Sequence, residues 1–263
     1  MRRTSATGTG RLWIALAGCG LFLYLPIVVL IGMSFNASRT AFTWGGFSFR
    51  WYGELARNGD LIAALGTSLV VAVGATVVST VLGTMLAVGL ARHVRSTALE
   101  AASMAPGILP DLVLAIGLLS FFTLASIPTG TLSVLIAHSV FGTAFVVAVV
   151  RARLNGTDAS LEEASRDLGA NAATTFLRVT LPSIAPAVVA GALLVFTLSL
   201  DEFVIAYFTA GPTTQTLPIA IYAMVRTGVT PEINALATVL ITITVTVIVV
   251  AARAVRRTEK PAS

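Results

Sequence analysis

Three carboxylates lie inside apolar sequence: Asp111 in "PDLVLAIGLL", and the adjacent Asp201 and Glu202 in "SLDEFVIAYF". A charge at the centre of a bilayer-spanning helix costs at least about 2.5–3.5 kcal/mol, so such groups face protein or water rather than lipid. Carboxylates in that setting can offset the lost hydration of a passing cation. They can equally form an ion pair or cap a helix break, and the residues alone leave both roles open. Successive helical residues diverge by about 100°, so Asp201 and Glu202 are not expected to face one pathway together. His138 reads as a hydrogen-bonded packing residue. With His93 the only other histidine, no metal-ligand cluster or nucleophile elbow is visible.

The second group of interest is "SLEEASRDLGANAATTFLRVTLP", residues 160–182, which is charged yet flanked by apolar runs. Ser160 and Glu163 have the spacing of a capping box, with Asp158 as an alternative cap. Leu161, Ala164 and Leu168 share one helical face, and Gly169 can end the helix in a left-handed turn. Asn171 can cap a second short helix carrying Ala172, Phe176 and Leu177. Pro182 is expected to close the unit. Two short amphipathic helices joined by a glycine elbow suit a groove in another protein, the alternative being a helix lying on lipid.

The elements that must position these residues are membrane helices. Of 263 residues, 56% are hydrophobic and only 11% charged, with a mean hydropathy of +0.90. A soluble domain cannot bury that much apolar surface, so lipid is the solvent for most of it. The net charge of +5 does not point to nucleic acid, because the arginines sit at the ends of apolar runs, without interleaved aromatics. Cys19 is the only cysteine, which excludes an internal disulfide. "LAGC" at 16–19 resembles a lipoprotein cleavage box and Arg2-Arg3 a twin-arginine signal. However, only residues 12–15 separate the basic start from that box, too short an apolar region for a signal of about 7–15 residues.

Spans are predicted at 12–33, 61–91, 105–126, 131–150, 184–208 and 233–252, each about the 20 residues a bilayer requires. Kinks are expected at Pro106 and Pro110, and the third and fourth spans form a hairpin. With both termini cytoplasmic, the inside holds Arg2, Arg3, Arg11, Arg92, Arg95, Arg151, Arg153, Arg166, Arg178, Arg253, Arg256, Arg257 and Lys260. The outside holds Arg39, Arg50, Arg57 and Arg226, which is 13 basic residues against 4. That asymmetry puts residues 160–182 in the cytoplasm. Ala75, Ser79, Gly83 and Ala87 form a small-residue stripe, and Asn234, Thr238, Thr242 and Thr246 a mildly polar one; both read as packing faces. "TPEI" at 230–233 starts the last helix, with Pro231 at its first position. The loop 34–60 holds Phe35, Phe42, Trp44, Phe47, Phe49, Trp51 and Tyr52, the composition of an interfacial belt or of a meeting place for a delivery protein.

Glu163-Ala164-Ser165, three residues, Gly169, nine residues, Val179-Thr180-Leu181-Pro182 resembles the EAA loop of ATP-binding-cassette import permeases. Ser replaces the second Ala and Val replaces Ile. "SFN" at 34–36, "WYGEL" at 51–55, "PDLVLAIGLL" at 110–119 and the stretch 199–238 are similar to permeases of spermidine/putrescine importers. A departure is "HSVFGTAFV" in the fourth span, which lacks the proline that relatives often carry near residue 143.

The resemblance implies an all-α integral membrane subunit with the type I import permease fold, as a single domain over 1–263. It assigns Glu162, Glu163, Ala164, Ser165, Asp167, Gly169, Leu181 and Pro182 to coupling with an ATPase subunit. Asp111, Asp201 and Glu202 become candidates for the substrate path. The implied partners are an ABC ATPase dimer, a second and different permease, and an external substrate-binding protein, in a bacterial inner membrane. This chain would bind no cofactor, with ATP and Mg held by the ATPases: its only lysine, Lys260, cannot complete a P-loop G-x4-G-K-[ST]. The implied cargo is a polyamine. Alternatives are the same machine with ferric iron, an aminophosphonate or another small solute, and an ion-coupled secondary transporter, which would leave the 160–182 motif without a purpose.

Overall fold

The structure is a computed structural model, and it describes residues 7–40, 43–94, 96–228 and 230–258. Arg2, Arg3, Phe42, Arg95 and Lys260 lie outside the described residues. Within them the chain is helical, with one isolated antiparallel bridge between Asn36 and Phe47. Helices are what lipid permits, because each satisfies its backbone hydrogen bonds internally. In chain order they are α1 (Thr7–Ser34), α2 (Arg50–Leu55), α3 (Gly59–Arg92), α4 (Thr97–Ile108), α5 (Asp111–Leu124), α6 (Thr131–Leu154), α7 (Ser160–Asp167) and α8 (Ala172–Thr175). A π-helical turn, Phe176–Thr180, then leads into α9 (Leu181–Asp201), α10 (Val204–Thr209), α11 (Leu217–Thr227) and α12 (Pro231–Thr258).

Two compact units divide the chain, one of residues 1–59 with 221–246 and one of 60–220 with 247–263. In the first, α1 is followed by an aromatic loop organised by the buried Asn36. Its Oδ1 accepts from the Gly45 and Ser38 backbone N–H groups (2.7 and 3.1 Å), and its Nδ2 donates to the Thr43 carbonyl at 2.7 Å. Its own carbonyl accepts from Trp51 Nε1 at 2.7 Å. Phe35 stacks on Phe47 and meets Phe49 edge-on, with centroids 5.3 and 5.4 Å apart. α12 begins at Pro231 as expected, and Glu232 in its first turn accepts from Asn58 Nδ2 at 3.2 Å. The hydroxyls of Thr238, Thr242 and Thr246 each donate to the carbonyl four residues back. The three threonines of the polar stripe are thus satisfied within their own helix.

The second unit is built on α3, α6 and α9. Ala75, Ser79, Gly83 and Ala87 are all buried, as the stripe predicts. Ser79 Oγ donates to the Ser139 carbonyl on α6 at 3.0 Å. Ala87, Val146, Val150, Leu154, Ile184 and Val195 form a core cluster shared by the three helices. α6 packs lengthwise against α4 and α9, while α5 leans chiefly on α10.

α1 from Ala15, α3, α6 and the continuous segment Ala172–Asp201 are each long and apolar enough to cross a membrane. The predicted third span, 105–126, is not one helix. α4 and α5 meet at 110°. α4 runs through Pro106, and the break falls at Leu109-Pro110, where Leu109 is extended (φ −64°, ψ 142°). Proline disfavours helical backbone in the residue before it. The turn also lays α4 along α6 more extensively than α5, which meets α6 mainly through Leu114, Ala115 and Phe122 against Ala137 and Phe141, so the expected hairpin is only partly formed. The fifth predicted span, 184–208, is likewise split. Glu202 is extended (φ −71°, ψ 110°) between α9 and α10.

Pro182 does not close the elbow either. The helix runs on from Ala172 to Asp201, with Pro182 on the first turn of α9. A proline ring clashes with the carbonyl four residues earlier and removes a donor, and here the chain widens into the π turn Phe176–Thr180 instead of breaking.

Candidate functional site

The elbow starts where α6 ends. Asp158 Oδ1 accepts the Ser160 backbone N–H at 2.9 Å, and this bond holds the Asp158 carboxyl below its ordinary 3.8. Ser160 is therefore the first helical residue rather than the cap, and the expected capping box with Glu163 does not form. The N-cap position is Ala159, which offers no side-chain cap. α7 ends in a Schellman motif: Gly169 N–H bonds the Arg166 carbonyl at 2.8 Å, and Ala170 N–H the Ser165 carbonyl at 3.1 Å. Gly169 adopts φ +87°, the left-handed backbone predicted for it. Asn171 Oδ1 then accepts from Thr174 N–H at 2.8 Å, capping α8 as predicted.

The two sides of α7 differ. Leu161 is 57% exposed and Leu168 89%, an apolar pair with the exposed Ala164 between them. Glu163 and Asp167 are exposed beside them. On the other side Ser165 Oγ meets Thr175 Oγ1 at 3.1 Å, which ties α7 to α8. Glu162 is buried, its Oε1 3.2 Å from Arg92 Nε at the end of α3. Leu181 packs against the α3–α6–α9 core cluster, while Pro182 is exposed. Two more arginines tie neighbouring elements: Arg151 Nη1 lies 2.5 Å from Glu100 Oε1 on α4, and Arg153 Nε donates to the Ser183 carbonyl at 3.2 Å. Sequence reasoning missed these links. It assigned the arginines to orientation alone, and nothing local points to a partner 70 residues away.

The three carboxylates gather at the two helix breaks. Asp111 opens α5, Asp201 ends α9, and both lie close enough to Glu202 to act on it electrostatically. Glu202 is half-buried, and its Oε1 accepts the Ile205 N–H at 2.9 Å, so it caps α10. Asp111 and Asp201 are exposed, and among the described residues their carboxylates accept no hydrogen bond. The geometry thus separates a capping carboxylate from two that accept no hydrogen bond among the described residues, and Glu202 has left the helix that the expected 100° divergence from Asp201 assumed. His138 is buried, with Nδ1 2.7 Å from Ser199 Oγ on α9, the packing role read from its sequence.

An all-helical membrane subunit with a capped helical elbow is the class that this fold defines. The chain belongs to the family of binding-protein-dependent transport system inner membrane components, whose model matches residues 79–260. It is a multi-pass inner-membrane transport subunit rather than an enzyme. It is similar to the putrescine transport system permease protein PotI of Escherichia coli strain K12, 43% identical over 229 residues that cover 84% of this chain and 82% of PotI. The spermidine/putrescine transport system permease protein PotC of Haemophilus influenzae is 40% identical over 231 residues, covering 87% and 90%. A more distant relative is the sulfate transport system permease protein CysT of Escherichia coli strain K12, 28% identical over 83% of this chain and 84% of CysT. The fold is shared with a chain of a bacterial ABC transporter that imports the acidic polysaccharide alginate, with a TM-score of 0.75 at 16% identity over 96% of each chain. It is also shared with the inward-facing MetNI methionine ABC transporter, with a TM-score of 0.63 at 18% identity over 81% of this chain and all of the other.

Proposed function

We propose that this chain is a permease subunit of an ATP-driven importer and that its cargo is a polyamine such as putrescine or spermidine. The observation that carries the reading is the apolar face of Leu161, Ala164 and Leu168, held in the open on an elbow whose other side is bonded into the permease. An exposed apolar helix face of this kind fits a groove in a partner protein. The partner is an ATPase subunit of a dimer, and Glu163 and Asp167 flank the contact.

A second permease, a different chain of similar fold, completes the path, and an external binding protein delivers the cargo. Six crossings, with both termini and the elbow in the cytoplasm, complete the topology. ATP and Mg bind only on the ATPase subunits, and ATP binding draws them together. The elbow follows, and because α8 runs unbroken through the π turn into α9, its movement reaches Asp201 and Glu202 at the far end of that helix. Asp111 and Asp201 offset the lost hydration of the cargo's ammonium groups as it passes. Hydrolysis resets the cycle.

The cargo follows from the putrescine and spermidine/putrescine relatives. Sulfate, named for the more distant relative, has the opposite charge, and two carboxylates that accept no hydrogen bond among the described residues suit a cation better. Radiolabelled putrescine supplied to cells that express the complete system, with their own polyamine uptake deleted, tests the reading. Uptake that stops on ATP depletion while the ion gradient is clamped is expected. Uptake that follows the gradient instead would replace the importer with a secondary transporter.

A further inference from the structure

The adjacent glutamates of the elbow do different jobs. Glu163 points outward on α7, but the Glu162 side chain is only 12% exposed and the Arg92 side chain 19%. Arg92 is the last residue of α3, and its Nη2 also donates to Thr157 Oγ1 at 3.3 Å, in the turn that follows α6. Thr157 Oγ1 in turn donates to the Leu154 carbonyl at 2.8 Å, on the last residue of α6. One guanidinium thus joins the end of α3, the end of α6 and the first turn of α7. Arg92 is also the sole side chain that carries α7 onto α3 among the described hydrogen bonds and ion pairs.

We infer that Arg92 and Glu162 are positioning residues that pass movement of the elbow into α3, and that Glu162 is no part of the surface that docks the ATPase. This rests on the proposed ATPase coupling. α9 receives the elbow's motion through continuous backbone, whereas α3 has no covalent route to it short of α4, α5 and α6. Its buried stripe packs against α6, and a charged, mostly buried pair at its end adds a direct polar link from α7 beside the apolar contact that Leu181 makes with the same core. A buried pair of this kind tolerates neither loss nor reversal of one partner, because the other charge is then left desolvated without compensation.

The test uses the full complex with its partner subunits in vesicles, reading putrescine uptake per ATP hydrolysed, together with co-purification of the ATPase subunit. Arg92→Glu and Glu162→Arg should each retain the ATPase subunit while uptake per ATP falls about two- to thirtyfold, the range seen when coupling residues are altered. The double swap should return it to within about twofold of the native complex, since the pair is restored with its charges exchanged. Should reversed charges prevent assembly, Arg92→Gln and Glu162→Gln replace them, and the double variant is expected to lose no more than either single one. Single variants with native uptake per ATP, or additive losses in the double variant, overturn the inference. So does loss of the ATPase subunit from Glu162→Gln, which would make Glu162 a docking residue and leave the proposed function intact. Leu168→Glu reports on that function separately: it should release the ATPase subunit, and retention with full uptake would sink the docking itself.

Discussion

Gly83 of α3 and Val146 of α6 touch so closely that a Cβ on the glycine would stand 2.7 Å from the valine Cβ and 3.1 Å from the Thr143 carbonyl oxygen. Those obstacles cannot swing away, since one is fixed to the backbone and the other belongs to it. Gly83→Ala should therefore push α3 from α6 at a cost of about 1–3 kcal/mol. A lower thermal unfolding midpoint of the purified complex is the readout. Because the clash is with Cβ itself, Val146→Ala should not rescue it. Recovery in that double variant would show the contact to be looser than this geometry.

Gly169 tests the elbow's shape. Nothing lies within 4 Å of a Cβ built there, yet its φ is +87°. Any harm from Gly169→Ala is conformational rather than steric, about 1–2 kcal/mol for an L residue in left-handed backbone. Gly169→Asn should be milder, because asparagine tolerates that region. Faster hydrogen exchange of the amides at positions 169 and 170 in the alanine variant, measured by mass spectrometry and corrected for intrinsic rates, is the expected result. Equal exchange in both variants counts against it.

Asp158 gives the elbow a pH dependence. Its bond to the Ser160 N–H favours the charged carboxylate and lowers the folded-state value below 3.8. Folding therefore favours deprotonation, and the contribution is fully present above the ordinary value and lost as pH falls through the lower folded one. Exchange at α7 amides, corrected for intrinsic rates, should rise in acid in the native complex. In Asp158→Ala, which has no carboxyl to titrate, that rise should be absent; a rise of equal size would assign it to another group.

The three membrane carboxylates should separate by substitution. Glu202→Gln keeps an oxygen to accept the Ile205 N–H, so the complex should keep its stability, whereas Glu202→Ala should lose about 0.5–2 kcal/mol with the cap. Asp111→Asn and Asp201→Asn remove charges that accept no hydrogen bond among the described residues, so unfolding midpoints should hold while putrescine uptake drops. Unchanged uptake kinetics in Asp111→Asn would take that residue out of the path.

Much of this protein was legible from its residues taken in order. Apolar runs of bilayer length fix the helical class, since lipid allows few other ways to pair the backbone. The stripe of Ala75, Ser79, Gly83 and Ala87 marked the buried face of α3, and Asn171 and Gly169 marked real caps, because each acts on backbone a few residues away. The same local logic failed where two local devices competed. Asp158, the alternative that the sequence offers, took the Ser160 amide in place of the capping box, and the π turn absorbed Pro182 without ending the helix.

Only the tertiary structure decided the rest. The break at Pro110 was readable, but its 110° angle, and hence the pairing of α6 with α4, depends on how the helices pack. The break at Glu202 carries no proline or glycine and follows from a carboxylate that caps the next helix. Which of two neighbouring glutamates faces inward was settled by Arg92, 70 residues earlier in the chain. Periodicity and capping act over a turn or two of backbone, whereas an ion pair between distant segments exists only once packing has brought both ends together.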